Sequence, residues 1–349
     1  MGGASLWGLF RLATKRLRSD PGLTLGTLLG LVAVVAIAAS VPIYVEAANN
    51  KILRQELGEI EAGGSPAFAY MYHMAYPSGT TSTAEFHAAD SFLLDQAPRI
   101  MHLPLESACL AVNSERLGLF PATADLYGST KNQLGNVQIG FVRHLQQHAR
   151  LIEGAWPAPP ASLDGPFEAL LSVSRAEQLG IKAGETFRLF RESESFGRVE
   201  LTVRIAGIWE ASDPSSSFWF MAPDVYEEVL LFPESTYMAY LMPGAEDWAL
   251  SYAAWYLTYD GRSISAEDVP TLLASMGRVL STLKGIMPSI GVSVSPEWAL
   301  IRHRRAVDMQ NKLLLAFGLP IMALVLFFTA FLSSHSIQHR SREVTLFRS

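Results

Sequence analysis

Two uninterrupted apolar stretches constrain this chain more than anything else in it. Leu23 to Val45 runs 23 residues without a charged side chain, and Leu313 to Leu332 runs 20. A helix needs about 20 apolar residues to cross a hydrocarbon core of roughly 30 Å. Both runs therefore predict membrane-spanning helices. The first is also too long for a secretory leader, whose apolar region is roughly 7 to 15 residues.

Charge at the flanks gives an orientation, because the cytoplasmic ends of spanning helices carry an excess of Lys and Arg. Arg11, Lys15, Arg16 and Arg18 against Asp20 precede the first run, and Arg340, Arg342 and Arg348 against Glu343 follow the second. The formal net charge is −6, so the chain between the flanks carries −11. Both termini are expected to be cytoplasmic and the middle of the chain outside. The expected division is a cytoplasmic amphipathic segment over 1–22, a first span over 23–45, an extracytoplasmic α+β domain over 46–311, a second span over 312–333 and a cytoplasmic segment over 334–349.

Gly22, Gly26 and Gly30 recur every four residues along the first run. That spacing gives a smooth stripe against which a second helix packs closely, although glycine is also common in spanning helices for no such reason. Ala47 to Ile60 and Pro296 to Asn311 carry helix formers, so the spans are expected to continue outward as helical stalks. The fold class read from the sequence is thus a membrane protein, two transmembrane helices with stalks flanking a mixed α+β domain.

Within the middle, Phe68, Tyr70, Tyr72, Met74 and Tyr76 alternate as in a strand with one buried face. Thr83 to Gln96 predicts a helix, and Leu105 to Asn113 and Val137 to Val142 predict strands. Glu168 to Val173 predicts another strand, followed by a short helix in which Ser174 and Glu177 form a capping box and which Gly180 ends. Thr186 to Phe190 and Val199 to Trp209 are further strands. Ser265 is expected to cap a helix running to about Gly285. The lone cysteine, Cys109, rules out an intramolecular disulfide and reads as a core residue.

The order from Gly154 and Pro157 through Ala176 to Gly180, Gly184 and Val203 to Ile208 resembles the extracytoplasmic domain of FtsX/MacB-type ABC transporter permeases. The run Arg340, Ser341, Arg342, Glu343, Val344, Thr345, Leu346, Phe347, Arg348 and Ser349 resembles the basic-Glu-hydrophobic segment that meets the ATPase in that family. The resemblance implies a permease subunit that couples ATP hydrolysis by a partner ABC-type ATPase to movement of its outer domain. It also implies a second permease subunit as partner, within a lipid bilayer and with no nucleic acid. Arg340, Arg342 and Arg348, with Glu343 among them, would face charged groups of the ATPase, while Leu346 and Phe347 fill an apolar groove. Such permeases have further spans after this segment, so the sequence is expected to be part of a longer protein. A two-span sensory receptor has the same topology and is the competing expectation.

No enzyme chemistry or cofactor is expected of the chain itself. It has no Gly-Lys dipeptide and so no phosphate-binding loop of the P-loop kind. His144 and His148 sit four apart without the Glu of a zinc-protease motif, and Ser281 with Lys284 lacks the companion motifs of serine acyltransfer enzymes. Trp209, Phe218, Trp219 and Phe220 read as core more readily than as a ligand surface.

Overall fold

A computed structural model describes residues 21–75, 82–123, 132–160, 165–193, 197–219, 222–243 and 246–346. The chain divides into two compact units, one of residues 57–300 and one combining 1–56 with 301–349.

The larger unit is built on strands. In chain order they are β1 (Ala69–Ala75), β2 (Leu105–Asn113), β3 (Leu117–Pro121), β4 (Gly135–Val142), β5 (Ala149–Gly154), β6 (Phe167–Ser172), β7 (Thr186–Ser193), β8 (Gly197–Ala211), β9 (Val229–Leu231), β10 (Tyr252–Tyr259) and β11 (Ile290–Val294). They form one sheet in which ten follow the order β11-β1-β10-β2-β4-β3-β7-β8-β6-β9, β5 pairs with β8, and β9 also pairs with β4. That last pairing closes β4, β3, β7, β8, β6 and β9 into a six-stranded barrel. Closure leaves those six strands without a free edge, which removes the main liability of an isolated sheet. The ladders are antiparallel except β4–β9 and β6–β8.

β4 is the seam between barrel and open sheet. It pairs with β3 through Val137, with β9 through Ile139 and with β2 through Phe141. Gly140 sits where β2 and β9 both approach, and a Cβ there would lie 2.1 Å from the Val112 carbonyl oxygen. Only glycine fits this crossing. Gly154, at the end of β5, combines φ +82° with a Cβ position 2.2 Å from the Ala206 oxygen and is required for both reasons.

The open part of the sheet is covered by helices α2 (Thr83–Ser91), α3 (Ala97–Met101) and α6 (Val269–Ile286); α2 and α3 are joined by a π turn over Phe92–Gln96. Ser82 and Glu85 form a reciprocal capping box at the start of α2. α6 buries Val269, Leu272, Met276, Val279 and Leu283 along one stripe. Each such side chain contributes about 1.5–3 kcal/mol by leaving water. Trp255 of β10 is fully buried beneath α2, with its ring 5.3 Å from that of Phe86. In the barrel, α4 (Leu145–His148) and α5 (Val173–Leu179) are short connectors.

The smaller unit contains most of two long helices, α1 (Pro21–Ala62) and α7 (Glu297–Leu346). His303 Nε2 lies 3.1 Å from the Asn49 carbonyl oxygen, and Arg302 pairs with Glu56 at 2.9 Å. Pro320 lies inside α7.

The expected fold class is corrected here. Among the described residues one helix, over Glu297–Phe328, is long and apolar enough to cross a membrane, and none of its apolar window is buried within the protein. Leu23 to Val45 lies within α1 and supplies no second such helix among the described residues. The bulk of the chain is an eleven-stranded sheet with a closed barrel rather than a mixed α+β domain carried between two stalked spans. Periodicity located strands one at a time but could not show the ladder from β4 to β9, whose partners lie about 90 residues apart.

Candidate functional site

β4 ends at Val142, and the next residue, Arg143, centres a cluster of buried and half-buried polar side chains. Its guanidinium donates to both oxygens of Asp90, from Nη1 at 3.0 Å and Nη2 at 3.0 Å. It also donates to Glu234, from Nε at 3.0 and 3.1 Å and from Nη2 at 2.5 Å. Trp255 Nε1 donates to Asp90 at 2.9 Å, so the carboxylate on α2 is tied to the sheet beneath it. The backbone of Arg143 is fixed as well, its N–H donating to the Leu110 oxygen at 2.8 Å. The two carboxylates hold the guanidinium proton more tightly than usual, against the opposing effect of burial. A guanidinium so held is a clamp and a fixed charge, not a proton donor.

Beside this clamp opens a cavity of about 620 Å³. Its size lies within the range of small-molecule sites. Leu170 of β6, Leu231 of β9, Trp156 and Phe232 line it, together with Arg143 and Glu234 of the clamp. His144 adopts the left-handed conformation, φ 62°, which turns the chain from β4 into α4. One polar cluster, a single guanidinium held between two carboxylates, against an apolar wall suits binding of an amphipathic molecule or segment.

His148 stacks on Phe218 with centroids 3.6 Å apart, and burial together with His144 lowers its pKa. Among the described residues no group of three metal-ligating side chains gathers. Ser281 turns its hydroxyl to the Arg278 carbonyl of its own helix. Trp209 and Trp219 are buried and stacked, while Phe218 is half-buried against the same cluster and Phe220 lies outside the described residues. Cys109 is buried, with Sγ 3.8 Å from the Arg143 oxygen, and desolvation pushes its thiol up to about 12.

The residues expected to meet an ATPase fall on the final turns of α7. Arg340, Arg342, Glu343 and Leu346 belong to that helix, while Phe347 and Arg348 lie outside the described residues. Arg340 to Leu346 continue the long helix, since no glycine or proline interrupts Leu332 to Leu346. Gly22, Gly26 and Gly30 lie on α1. Among the described residues, the lining of the cavity beside Arg143 includes none of them. The clamp itself, joining positions 90, 143, 234 and 255, carries no local motif and had no signal in the sequence.

No protein-family model matches the chain, and no curated protein matches it. Among solved structures it is similar to "a domain of a putative Permease protein" from Porphyromonas gingivalis, at 14% identity and a TM-score of 0.32 over 66% of this chain and 89% of that one. None of these comparisons shows membership of the FtsX/MacB-type family.

Proposed function

We propose that this chain is a permease-like subunit held in a membrane by α7, with its barrel-bearing unit as the part that engages cargo or an outer partner. The observation that carries this reading is the apolar portion of α7, of mean hydropathy 2.0 and unburied within the protein. An apolar helix of that length left in water would expose far more contiguous apolar surface than soluble proteins tolerate. The cavity beside Arg143 supplies a place for an amphipathic ligand. In the finer form of the proposal, the end of α7 docks on an ABC-type ATPase through Arg340, Arg342, Glu343, Leu346, Phe347 and Arg348, with a second permease subunit completing the complex. An apolar anchor with a charged rim is the usual economy of such contacts.

The test is co-expression of the intact protein with the ATPase encoded beside it, followed by detergent pull-down. A complex that Phe347→Ala and Arg342→Glu each abolish supports the coupling role. Absence of any complex with the intact protein ends that role, and recovery of the protein from the soluble fraction ends the membrane reading.

A further inference from the structure

Between residues 302 and 312, just before its apolar run, α7 carries Arg302, Arg304, Arg305 and Lys312 against the single acid Asp308, all exposed. The helix repeat of 3.6 residues places Arg305 and Lys312 within about 20° of each other, with Arg302 about 60° to one side and Arg304 about 100° to the other, so the bases spread around the exposed part of the helix. The face of Arg305 and Lys312 also holds Met309, whereas Ala299, Leu300 and His303 on the opposite side are buried. On the neighbouring stretch of α1, Lys51 and Arg54 stand with Glu46 and Glu56, and Glu56 pairs with Arg302, so Arg302 is left out of the positive set.

Lys312 directly abuts Leu313, the first residue of the apolar stretch, and Arg305 stands about 10 Å further along the axis. A headgroup layer is roughly 5–8 Å thick on each side of the hydrocarbon core, and long basic side chains reach along the helix to place their charge there. We infer that Arg304, Arg305 and Lys312 form a collar that binds the phosphate-bearing headgroups of anionic phospholipids. This rests on the membrane reading of α7. Four bases precede the apolar run where three follow it, so flank charge alone does not orient α7, and the collar has work to do on whichever face it lies.

The experiment uses the full chain in uncharged detergent micelles. Binding of short-chain phosphatidylglycerol is compared with binding of phosphatidylcholine of the same chain length, for the parent protein, for Arg304→Gln/Arg305→Gln/Lys312→Gln, and for Lys51→Gln/Arg54→Gln. A base near an anionic surface strengthens binding on the order of fivefold. The parent should therefore prefer phosphatidylglycerol, the triple variant should lose about a hundredfold in affinity for it, and the α1 variant should match the parent. Added salt should erode the preference, and inorganic phosphate at equal concentration should not displace the lipid. Equal affinity for the two lipids in the parent overturns the proposal, as does a folded triple variant that keeps the preference. Should the triple variant not fold, the lipid preference of the parent and its loss in salt decide the matter. Failure of the membrane reading is distinct: the protein would then stay in solution without detergent.

Discussion

Arg143→Met removes the guanidinium while keeping an unbranched apolar chain in its place. Five N–H···O contacts to Asp90 and Glu234 are lost. The two carboxylates are left facing each other with side-chain exposures of 15% and 35%. Removing one partner of a fully buried ion pair costs 3–5 kcal/mol, because the survivor is buried uncompensated. Partial exposure reduces that here to about 2–3 kcal/mol. For a unit of this size each kcal/mol lowers the melting temperature by about 2–4 °C. Thermal unfolding of the full chain in detergent, followed by circular dichroism, should therefore show a drop of about 5–10 °C. The companion variant Asp90→Asn/Arg143→Met/Glu234→Gln should recover more than half of that drop. It carries no orphaned charge, and an amide oxygen at position 90 still accepts from Trp255. A shift below about 2 °C for Arg143→Met would refute the clamp as a structural element. A triple variant worse than the single one would refute the charge argument.

Gly140→Ala should prevent the barrel from closing, since backbone of β2 occupies the Cβ position; loss of cooperative unfolding reports it. Gly277→Ala, with open space around the Cβ on α6, should instead stabilise by about 0.5–1 kcal/mol. Raising the pH should destabilise the larger unit. Burial raises the pKa of Cys109 from near 9 to about 12 and also raises those of Tyr226, Tyr237 and Tyr256. The fold thus keeps protons that the unfolded chain releases, and stability falls as pH climbs from about 9 toward 12. Denaturant titrations at pH 8 and pH 10.5 with equal midpoints would contradict this. Ser212→Cys on an exposed loop, with Cys109 buried and silent, should react with a membrane-impermeant maleimide in intact cells if the larger unit lies outside. Labelling only after permeabilisation would place it in the cytoplasm.

Local chemistry was the legible part of this sequence. Leu105 to Asn113 is β2, and the paired strands β7 and β8 extend the expected runs by a few residues. The helix after β6 ends at Gly180 in the left-handed conformation, as its sequence suggests. Its cap is Ser172, which accepts from the Arg175 N–H, and not Ser174. Asp268, not Ser265, occupies the N-cap position of α6, and Ser265 donates to its carboxylate. In β1 the alternation misleads: Ala69 and Met71 are buried along with Tyr70 and Tyr72, because the strand is covered on both faces. The clamp and the barrel were illegible for one reason. Asp90, Arg143 and Glu234 are separated by 53 and 91 residues, and each alone is an ordinary charged residue until tertiary pairing removes it from water.

The first and last strands of the larger unit, β1 and β11, are antiparallel neighbours, with Met71 opposite Val294. The chain consequently enters and leaves this unit at the same end of one ladder. A displacement shared by both ends would drag the sheet as a single body, with all its hydrogen bonds loaded alike. Pulling the ends apart would instead open the ladder like a zipper, one bond at a time, starting at the register shift between Met71 and Tyr72. The unit is stiff toward common motion and weak toward differential motion, so a force applied unequally to its two ends would detach β11 long before it disturbed the barrel.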